Sequence, residues 1–251
     1  MNALSSEPRL MTMVRNKSER HLHTYVHRRW SSLQKISVIR GHNEFMLGFL
    51  TSNAFEEIYK GYGLPVETIS ETWTLKLERS RYSKEGEQGI YIRNQEGRIV
   101  FGLTFCMDRE DNAIYIGSLQ GGKHATANED IKALYRACCS TRPFELLMCA
   151  LYAFKDTFAI RSLYGIPTRF ANNHGHGHKI RLDYDGYWKN IGGVLDGDWY
   201  RLPSSMHRKD IKDVKSKHRS MYRRRMLLMD HIHRQMQSTL ANAARITELA
   251  C

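Results

Sequence analysis

The stretch RIVFGLTFCMDREDNAIYIGSLQGG, residues 98–122, decides the fold. Its two apolar runs, RIVFGLTFCM and AIYIGSL, are rich in β-branched and aromatic residues, and the polar segment DREDN separates them. Runs of this length and composition, divided by a turn segment, predict two antiparallel strands. The second run leads into Gly121 and Gly122, after which the pattern changes from strand to helix.

Upstream of this stretch, the pattern predicts two more strands and a helical segment. In ISETWTLKLERS, residues 69–80, apolar residues mostly alternate with polar ones, which is the period of a half-buried strand. GIYIRN, residues 89–94, follows, and the loop QEG suits a hairpin to the next strand. The four strands predict an antiparallel meander. Residues 43–60 have a broken helical rhythm that Gly61 and Gly63 stop, which predicts a helical N-terminal part.

Downstream, the pattern predicts two helices and a further strand. Asn128 can cap a helix with apolar residues at i, i+3, i+4 and i+7, and Pro143 suits the first turn of a second helix. The run IRSLYGIP, residues 160–167, then returns to strand. A strand, two helices and a strand form a crossover unit joined to the meander, so the predicted fold class is α+β.

The same pattern divides the chain into three segments. Residues 1–64 are a basic arm followed by the helical segment, and residues 65–202 are the α+β core domain. Residues 203–251 are a basic linker and a C-terminal amphipathic helix. That helix contains HRSMYRRRMLLMDHIH, residues 218–233, in which methionine and leucine form an apolar stripe and the arginines lie largely off it.

Composition excludes several classes of protein. The 251 residues are 41% hydrophobic and 25% charged, as in ordinary globular proteins. No apolar run approaches the roughly 20 residues of a membrane span. The N-terminal residues lack the apolar core of a secretory signal, so a cytoplasmic location is expected. Five cysteines without a CxxC pair argue against a disulfide framework or a zinc module, and favour a reducing compartment.

The net charge of +12 is concentrated near the two ends of the chain. Residues 1–30 carry +4 and residues 201–234 carry +8, so the remainder is electrically balanced. Segments of this kind attract phosphate polyanions or anionic lipid headgroups, although a solvated charged face explains them equally well. Because arginine binds phosphate bidentately, the candidate phosphate-binding residues are Arg219, Arg223, Arg224 and Arg225.

No motif for sequence-specific DNA recognition accompanies this charge. The remaining partners are an anionic membrane surface, an RNA backbone and a phosphorylated cofactor. The sequence does not identify a protein partner.

A second candidate site is the glycine turn after the fourth strand. A strand that runs into Gln120, Gly121 and Gly122 ahead of a helix can turn backbone N–H groups toward an anion, and Lys123 could add charge. The alternative interpretation is a turn that needs glycine only for its positive φ.

The loop NNHGHGHK contains the weak metal candidates His174, His176 and His178. Three imidazoles at alternate positions could chelate zinc or nickel on an extended segment. The glycines between them, and the lack of a carboxylate before Asp183, favour a mobile polar loop, so we predict no metal site.

Five motifs in order resemble those of the VirK/YbjX family of enterobacterial proteins: GSLQGG, IKALYRACCSTRPFELL, HKIRLDYDGYWKNIGG, DGDWYRLP and KSKHRSMYRRRMLL. The resemblance covers about residues 40–233. It implies a virulence-associated accessory role at the cell envelope, including display of a surface virulence protein and resistance to host antimicrobial peptides. It implies no reaction and no catalytic residue.

The order of elements is also similar to that of GNAT-type acyltransferases. In that fold, the glycine turn after the fourth strand holds the pyrophosphate of coenzyme A, which here implies Gln120, Gly121, Gly122 and Lys123. YWKNIGG resembles the Tyr-x-x-x-Gly-Phe element of that fold, which implies Tyr187 as the proton donor to the leaving thiolate. An acyl-CoA would then be the cofactor. The turn sequence and the two helices before the next strand depart from this plan.

Three functions therefore remain open. The first is a VirK-type accessory protein in the cytoplasm, peripheral at the inner membrane through its basic C-terminal helix. The second is a GNAT-like acyl or aminoacyl transferase. The third is a post-transcriptional factor that binds RNA backbone.

Overall fold

The structure is a computed structural model that describes residues 23–172 and 182–245. These residues form the predicted α+β fold around one sheet. The strands are Leu64–Ile69 (β1), Trp73–Arg79 (β2), Gln88–Arg93 (β3), Ile99–Asp108 (β4), Ala113–Gly121 (β5), Ser162–Gly165 (β6), Val194–Asp196 (β7) and Trp199–Arg201 (β8). They are neighbours in chain order from β1 to β6, and β8 then lies between β6 and β7.

The described residues also form α-helices at both ends of the sheet sequence and between its strands. These are Ser32–Phe49 (α1), Ser52–Lys60 (α2), Ala127–Ala137 (α3), Pro143–Thr157 (α4), Tyr184–Asn190 (α5) and Arg219–Ala243 (α6). Local sequence explains several starts. Ser31 and Gln34 form a capping box at α1, and Thr51 accepts a hydrogen bond from the Ala54 N–H at α2. Pro143 is the first residue of α4, as predicted.

The antiparallel meander is confirmed, but it has five strands instead of about four. Residues 69–80, predicted as one strand, contain the last residue of β1, a turn, and β2 from Trp73, and β1 begins upstream at Leu64. Ser70 and Glu71 make the turn with φ of 52° and 58°. Hairpin turns with two left-handed residues usually contain Asn or Gly. Neither is present, so the sequence lacks the turn signal.

The predicted crossover is confirmed. β5 pairs in parallel with β6, and α3 and α4 form the connection between them. β5 also carries a bulge, because Gly117 falls between the residues that pair with Thr104 and Phe105 of β4. A Cβ on Gly117 would lie 2.0 Å from the Glu85 carbonyl oxygen, so only glycine fits there.

Two details of the sequence prediction are wrong. α3 begins at Ala127 after Thr126, so Asn128 lies inside the first turn and does not cap the helix. The β7–β8 hairpin was not predicted, although Gly197 at its turn has a φ of 59°. Its strands have three residues each, too few to show a period.

The helix α4 lies at the centre of the molecule. It packs against β3 and β4 on one side and against α6 on the other. The main buried cluster includes Phe55 of α2, Phe154 of α4 and Leu240 of α6, and so draws on all three sequence segments. The division into three segments remains a prediction. A smaller cluster, which contains Tyr25 and Cys106, covers the opposite face of the sheet.

Candidate binding cavity and basic surface

A cavity of about 490 Å³ lies between α4, α5, the linker after β8 and α6. This volume is within the range of about 300–1,000 Å³ that is usual for small-molecule sites. Its lining combines methionine and tyrosine side chains with polar and charged ones. The methionines and tyrosines are Met148, Tyr152, Tyr187, Met206, Met221, Tyr222, Met226 and Met229, and the polar and charged residues are Glu145, Asn190, His207, Lys209, Asp213, Lys215, His218 and Arg225. We call it the α4–α6 cavity.

Tyr187, the predicted proton donor, lines this cavity. Its side chain is 7% exposed, and its ring packs edge-on against Phe144 at a centroid distance of 4.1 Å. Within the described residues, the buried hydroxyl has no hydrogen-bond partner. Burial raises the pKa of Tyr187 well above its usual value, so the hydroxyl keeps its proton and can only donate or accept a hydrogen bond.

The linker covers the cavity because three side chains hold it in place. Tyr152 Oη donates to the Pro203 carbonyl oxygen at 2.9 Å. Tyr222 Oη of α6 donates to the Lys209 carbonyl oxygen at 3.0 Å. Arg208 pairs with Asp230 of α6 at 2.5 Å. The cover therefore depends on contacts between residues far apart in sequence.

The four candidate phosphate-binding arginines fall into two groups. Arg219 donates to the carbonyl oxygens of Val214 and Lys212, and Arg225 donates to the carbonyl oxygen of Ser140. These two guanidinium groups are half-buried and hold the backbone. Arg223 and Arg224 are exposed, and within residues 23–172 and 182–245 neither takes part in an ion pair.

Further exposed cations lie near these two arginines in sequence. We call the set the basic surface: Lys209, Lys212, Lys215, Lys217, Arg223 and Arg224. Of the neighbouring acids, Asp210 accepts a hydrogen bond from the Lys212 N–H and Asp213 lines the cavity. This charge is evident in the sequence, whereas the cavity was not predicted. Its available signal was the set of methionines Met221, Met226 and Met229.

The glycine turn lies outside the α4–α6 cavity lining. The Gly122 N–H donates to the Val100 carbonyl oxygen at 2.9 Å, and Gly121 pairs with Phe101 inside the sheet. The Gln120 amide donates to a Glu85 carboxylate oxygen at 2.7 Å. Lys123 is exposed over the ring of Tyr82. Binding of a cofactor by these four residues stays a prediction.

The alternative interpretation of that turn is wrong in its detail. Neither Gly121 nor Gly122 has a positive φ. Gly122 is required for space, because a Cβ there would lie 2.0 Å from the Ile99 carbonyl oxygen.

The helix α5 connects the end of β5 with the cavity. Tyr184 Oη lies 3.2 Å from the Leu119 nitrogen and 3.1 Å from its carbonyl oxygen, and bonds to both. The next side chain on that side of the helix is Tyr187. About one turn of α5, a rise of roughly 4.5 Å, therefore separates the contact with Leu119 from the cavity.

The predicted metal candidates His174, His176 and His178 lie outside the described residues. Within those that are described, no group of three or more His, Cys, Asp or Glu side chains could hold a metal ion. Within the same ranges, no helix has the length and apolar character needed to cross a membrane.

The fold and the cavity define an α+β protein with a central antiparallel meander and a basic C-terminal helix. Residues 1–238 match the model of a family described as protein of unknown function (DUF535), and the chain belongs to that family. This agrees with the VirK/YbjX resemblance of the sequence motifs.

Two relatives illustrate the match. The chain is 29% identical over 255 residues to the uncharacterized protein YbjX of Escherichia coli K12, which covers 94% of this chain and 76% of the relative. It is 25% identical over 219 residues to an uncharacterized protein of Haemophilus influenzae, which covers 86% of this chain and 75% of the relative. No solved structure matches the chain.

Proposed function

We propose that this protein is an envelope accessory protein that binds an anionic membrane surface from the cytoplasmic side through its basic surface. The roles implied by the VirK resemblance, display of a surface virulence protein and resistance to antimicrobial peptides, would then depend on this attachment. The observation that carries the proposal is the set of six exposed cations of the basic surface, which take part in no ion pair within the described residues.

Charge of this kind is strong enough to hold a protein at a membrane. Each Lys or Arg near an anionic bilayer contributes about 1 kcal/mol, and the attraction falls off within a Debye length of about 8 Å at physiological salt. Leu227 adds an apolar group next to Arg223 and Arg224 in sequence, since its side chain is 67% exposed. An exposed leucine beside arginines is typical of interfacial helices.

The test is co-sedimentation of the full chain with vesicles of phosphatidylglycerol and cardiolipin. Replacing Arg223 and Arg224 by Gln should weaken partitioning about 30-fold, the effect of two contacts of about 1 kcal/mol each. Raising the salt concentration should weaken binding of the unmodified protein further.

The matched control replaces Lys132 and Arg136 by Gln. Both are exposed on α3, so the control removes the same amount of charge from another helix. Equal loss in the two variants would show that net charge alone matters and would reject the basic surface. Binding to neutral phosphatidylcholine vesicles, or tight salt-sensitive binding to RNA without vesicle binding, would also reject the proposal.

A second candidate function is a GNAT-like acyl or aminoacyl transferase. The parallel β5–β6 pair favours it, as does the placement of Tyr184 and Tyr187 on α5 between the end of β5 and the cavity. A thermal-shift titration with acetyl-CoA and a long-chain acyl-CoA tests it. A specific ligand at 100 times its Kd stabilises by about 2.7 kcal/mol.

Lys123→Glu should abolish this stabilisation if the glycine turn holds the cofactor, and Lys132→Glu on the nearby helix α3 should not. Absence of any effect of CoA compounds on the unmodified protein would eliminate the transferase candidate.

A further inference from the structure

The α4–α6 cavity changes character from its interior to its mouth. Met148, Tyr152 and Met229 are 1%, 4% and 7% exposed, so this part of the cavity wall is buried and mainly apolar. Lys209 and Lys215, which also line it, are exposed to solvent. An apolar interior with cations at its opening matches a molecule that has one apolar and one anionic end.

The start of α6 also lies at the mouth of the cavity. His218, the N-cap residue of that helix, lines the cavity, and its side chain makes no capping hydrogen bond. The first turn of α6 contains no acidic residue. The positive end of the helix dipole therefore lies at the mouth with no carboxylate in its own first turn, although Asp213 also lines the cavity.

Two buried polar atoms of residues that line the cavity lack partners within the described residues. The Tyr187 hydroxyl and the Arg225 Nε are buried and have no hydrogen-bond partner within the described residues. Buried groups of this kind cost free energy, so a bound oxygen atom that reached either of them would stabilise the protein. The acids that line the same space, Glu145 and Asp213, restrict where an anion can sit. Glu145 accepts the Arg142 N–H at 2.8 Å.

We propose that the α4–α6 cavity binds a single acyl chain that carries a small anionic headgroup, as in a lysophospholipid or a fatty acid. The chain lies among the methionines, and the phosphate or carboxylate lies at the mouth near Lys209, Lys215 and the start of α6. Methionine suits this role because its flexible thioether adapts to a chain without fixed shape. The inference rests on the proposed membrane attachment only for the source of the ligand.

The experiment measures the thermal stability of the full chain with lauroyl lysophosphatidic acid, kept below its critical micelle concentration. Dodecyl maltoside, with a neutral headgroup, and inorganic phosphate, with no chain, are the comparison ligands. We expect saturable stabilisation by the lysophosphatidic acid and little by either comparison ligand. Equal stabilisation by phosphate would identify a simple anion site, and equal stabilisation by the maltoside would identify a detergent effect. Either result would overturn the proposal.

Variants locate the binding. Met226→Trp and Met221→Trp place a larger side chain in the cavity, and each should weaken binding by about tenfold or more. Ser238→Trp is the control, because Ser238 lies on the same helix but is exposed and outside the cavity lining. If all three variants behave alike, or if both methionine variants fold and bind normally, the ligand does not occupy this cavity.

Two double lysine variants distinguish this inference from the proposed function. Replacing Lys209 and Lys215 by Glu should weaken binding of the lysophosphatidic acid, whereas replacing Lys212 and Lys217, which do not line the cavity, should not. The Lys212 and Lys217 variant should still lose affinity for anionic vesicles. If the unmodified protein binds the amphiphile but not anionic vesicles, the proposed function alone is rejected. If it binds anionic vesicles but not the amphiphile, the cavity ligand alone is rejected.

Discussion

Glu78 of β2 is buried completely, and both of its carboxylate oxygens are used. Arg93 of β3 donates to them through Nε at 2.5 Å and Nη2 at 2.6 Å, and Arg81 adds a contact at 3.1 Å. The hydrogen bonds that Arg93 donates to Glu78 raise the pKa of Arg93. A bidentate pair of this kind fixes the register of two neighbouring strands.

Glu78→Ala should therefore lower the free energy of unfolding by about 3–5 kcal/mol, because Arg93 is left largely buried without its counter-charge. Urea unfolding followed by circular dichroism measures this. The control is Glu56→Ala, which removes an exposed partner of Lys60 on α2 and should cost less than about 1 kcal/mol. Similar losses in both variants would show that the buried ion pair contributes no more to stability than the exposed one.

His27 makes stability depend on pH. Its ring lies between Phe170 and Trp199 and is 1% exposed. Nδ1 accepts the Arg29 N–H and Nε2 donates to the Asp198 carbonyl oxygen, both at 3.2 Å. Burial lowers the pKa of His27, against the opposing effect of Asp198. Protonation would also turn Nδ1 into a donor that faces another N–H.

As the pH falls below 6.5, the unfolded chain binds a proton at His27 before the folded protein does. The stabilisation is thus complete above pH 6.5 and is lost as the pH falls through the lower pKa of the folded state. We expect the melting temperature to fall between pH 7.5 and 5.5, and to fall less in His27→Phe, which retains the ring contacts. Identical pH profiles for the two proteins would contradict this assignment.

At the scale of elements, the turn between β1 and β2 stores backbone strain. Ser70 and Glu71 both have a positive φ, which costs roughly 1–2 kcal/mol for each residue other than glycine. Replacing them by Asn and Gly, the usual pair in such turns, should raise the free energy of unfolding by about 1 kcal/mol.

Thermal and urea unfolding measure this gain, and Gly97→Ala is the inverse control. Gly97 has a φ of 73° in the β3–β4 turn, and nothing lies near the added Cβ, so backbone strain alone should destabilise that variant. A destabilised Asn-Gly variant would show that the Ser70 and Glu71 side chains have a stabilising role.

The elements that the sequence predicts correctly are those whose own residues form an apolar run or an alternating pattern. Ile90 and Ile92 of β3 and the apolar residues of β4 and β5 identify their strands directly. β1 is different, because Pro65 and Glu67 interrupt its apolar positions and its register shifts between them. β8 is held by pairing with β6, and β7 is held by pairing with β8. A local sequence pattern does not reveal such pairing.

The candidate site shows the same limit at the scale of the whole molecule. The cations of the linker and of α6 are visible in the sequence as charge. Which of them are free is decided by tertiary contacts, since Arg225 reaches Ser140 and Arg219 turns back to Val214. The cavity exists only because the linker folds over α4. No single segment contains the information that defines it.

Substitution of Leu240 measures how much the packing of α6 contributes to the free energy of unfolding. The Leu240 side chain is fully buried in the main cluster, so Leu240→Ala should lower the free energy of unfolding by about 2–5 kcal/mol. Leu227→Ala, on the exposed side of the same helix, should change it by less than about 0.5 kcal/mol. Urea unfolding compares them, and a small loss for Leu240→Ala would mean that α6 is only loosely attached.

The contacts of α6 also determine when earlier elements can complete their packing during synthesis on the ribosome. The Thr51 N–H between α1 and α2 donates to the carbonyl oxygen of Ala243, and α4 packs against α6. At a synthesis rate of about 5–20 residues per second, residue 243 is added roughly 10–40 s after α2 is complete. From the completion of α4 at Thr157 until α6 has been added, α4 lacks this partner on one side. The nascent chain therefore exposes the future cavity wall until α6 has been added, and transiently exposed apolar surface of this kind is what chaperones bind.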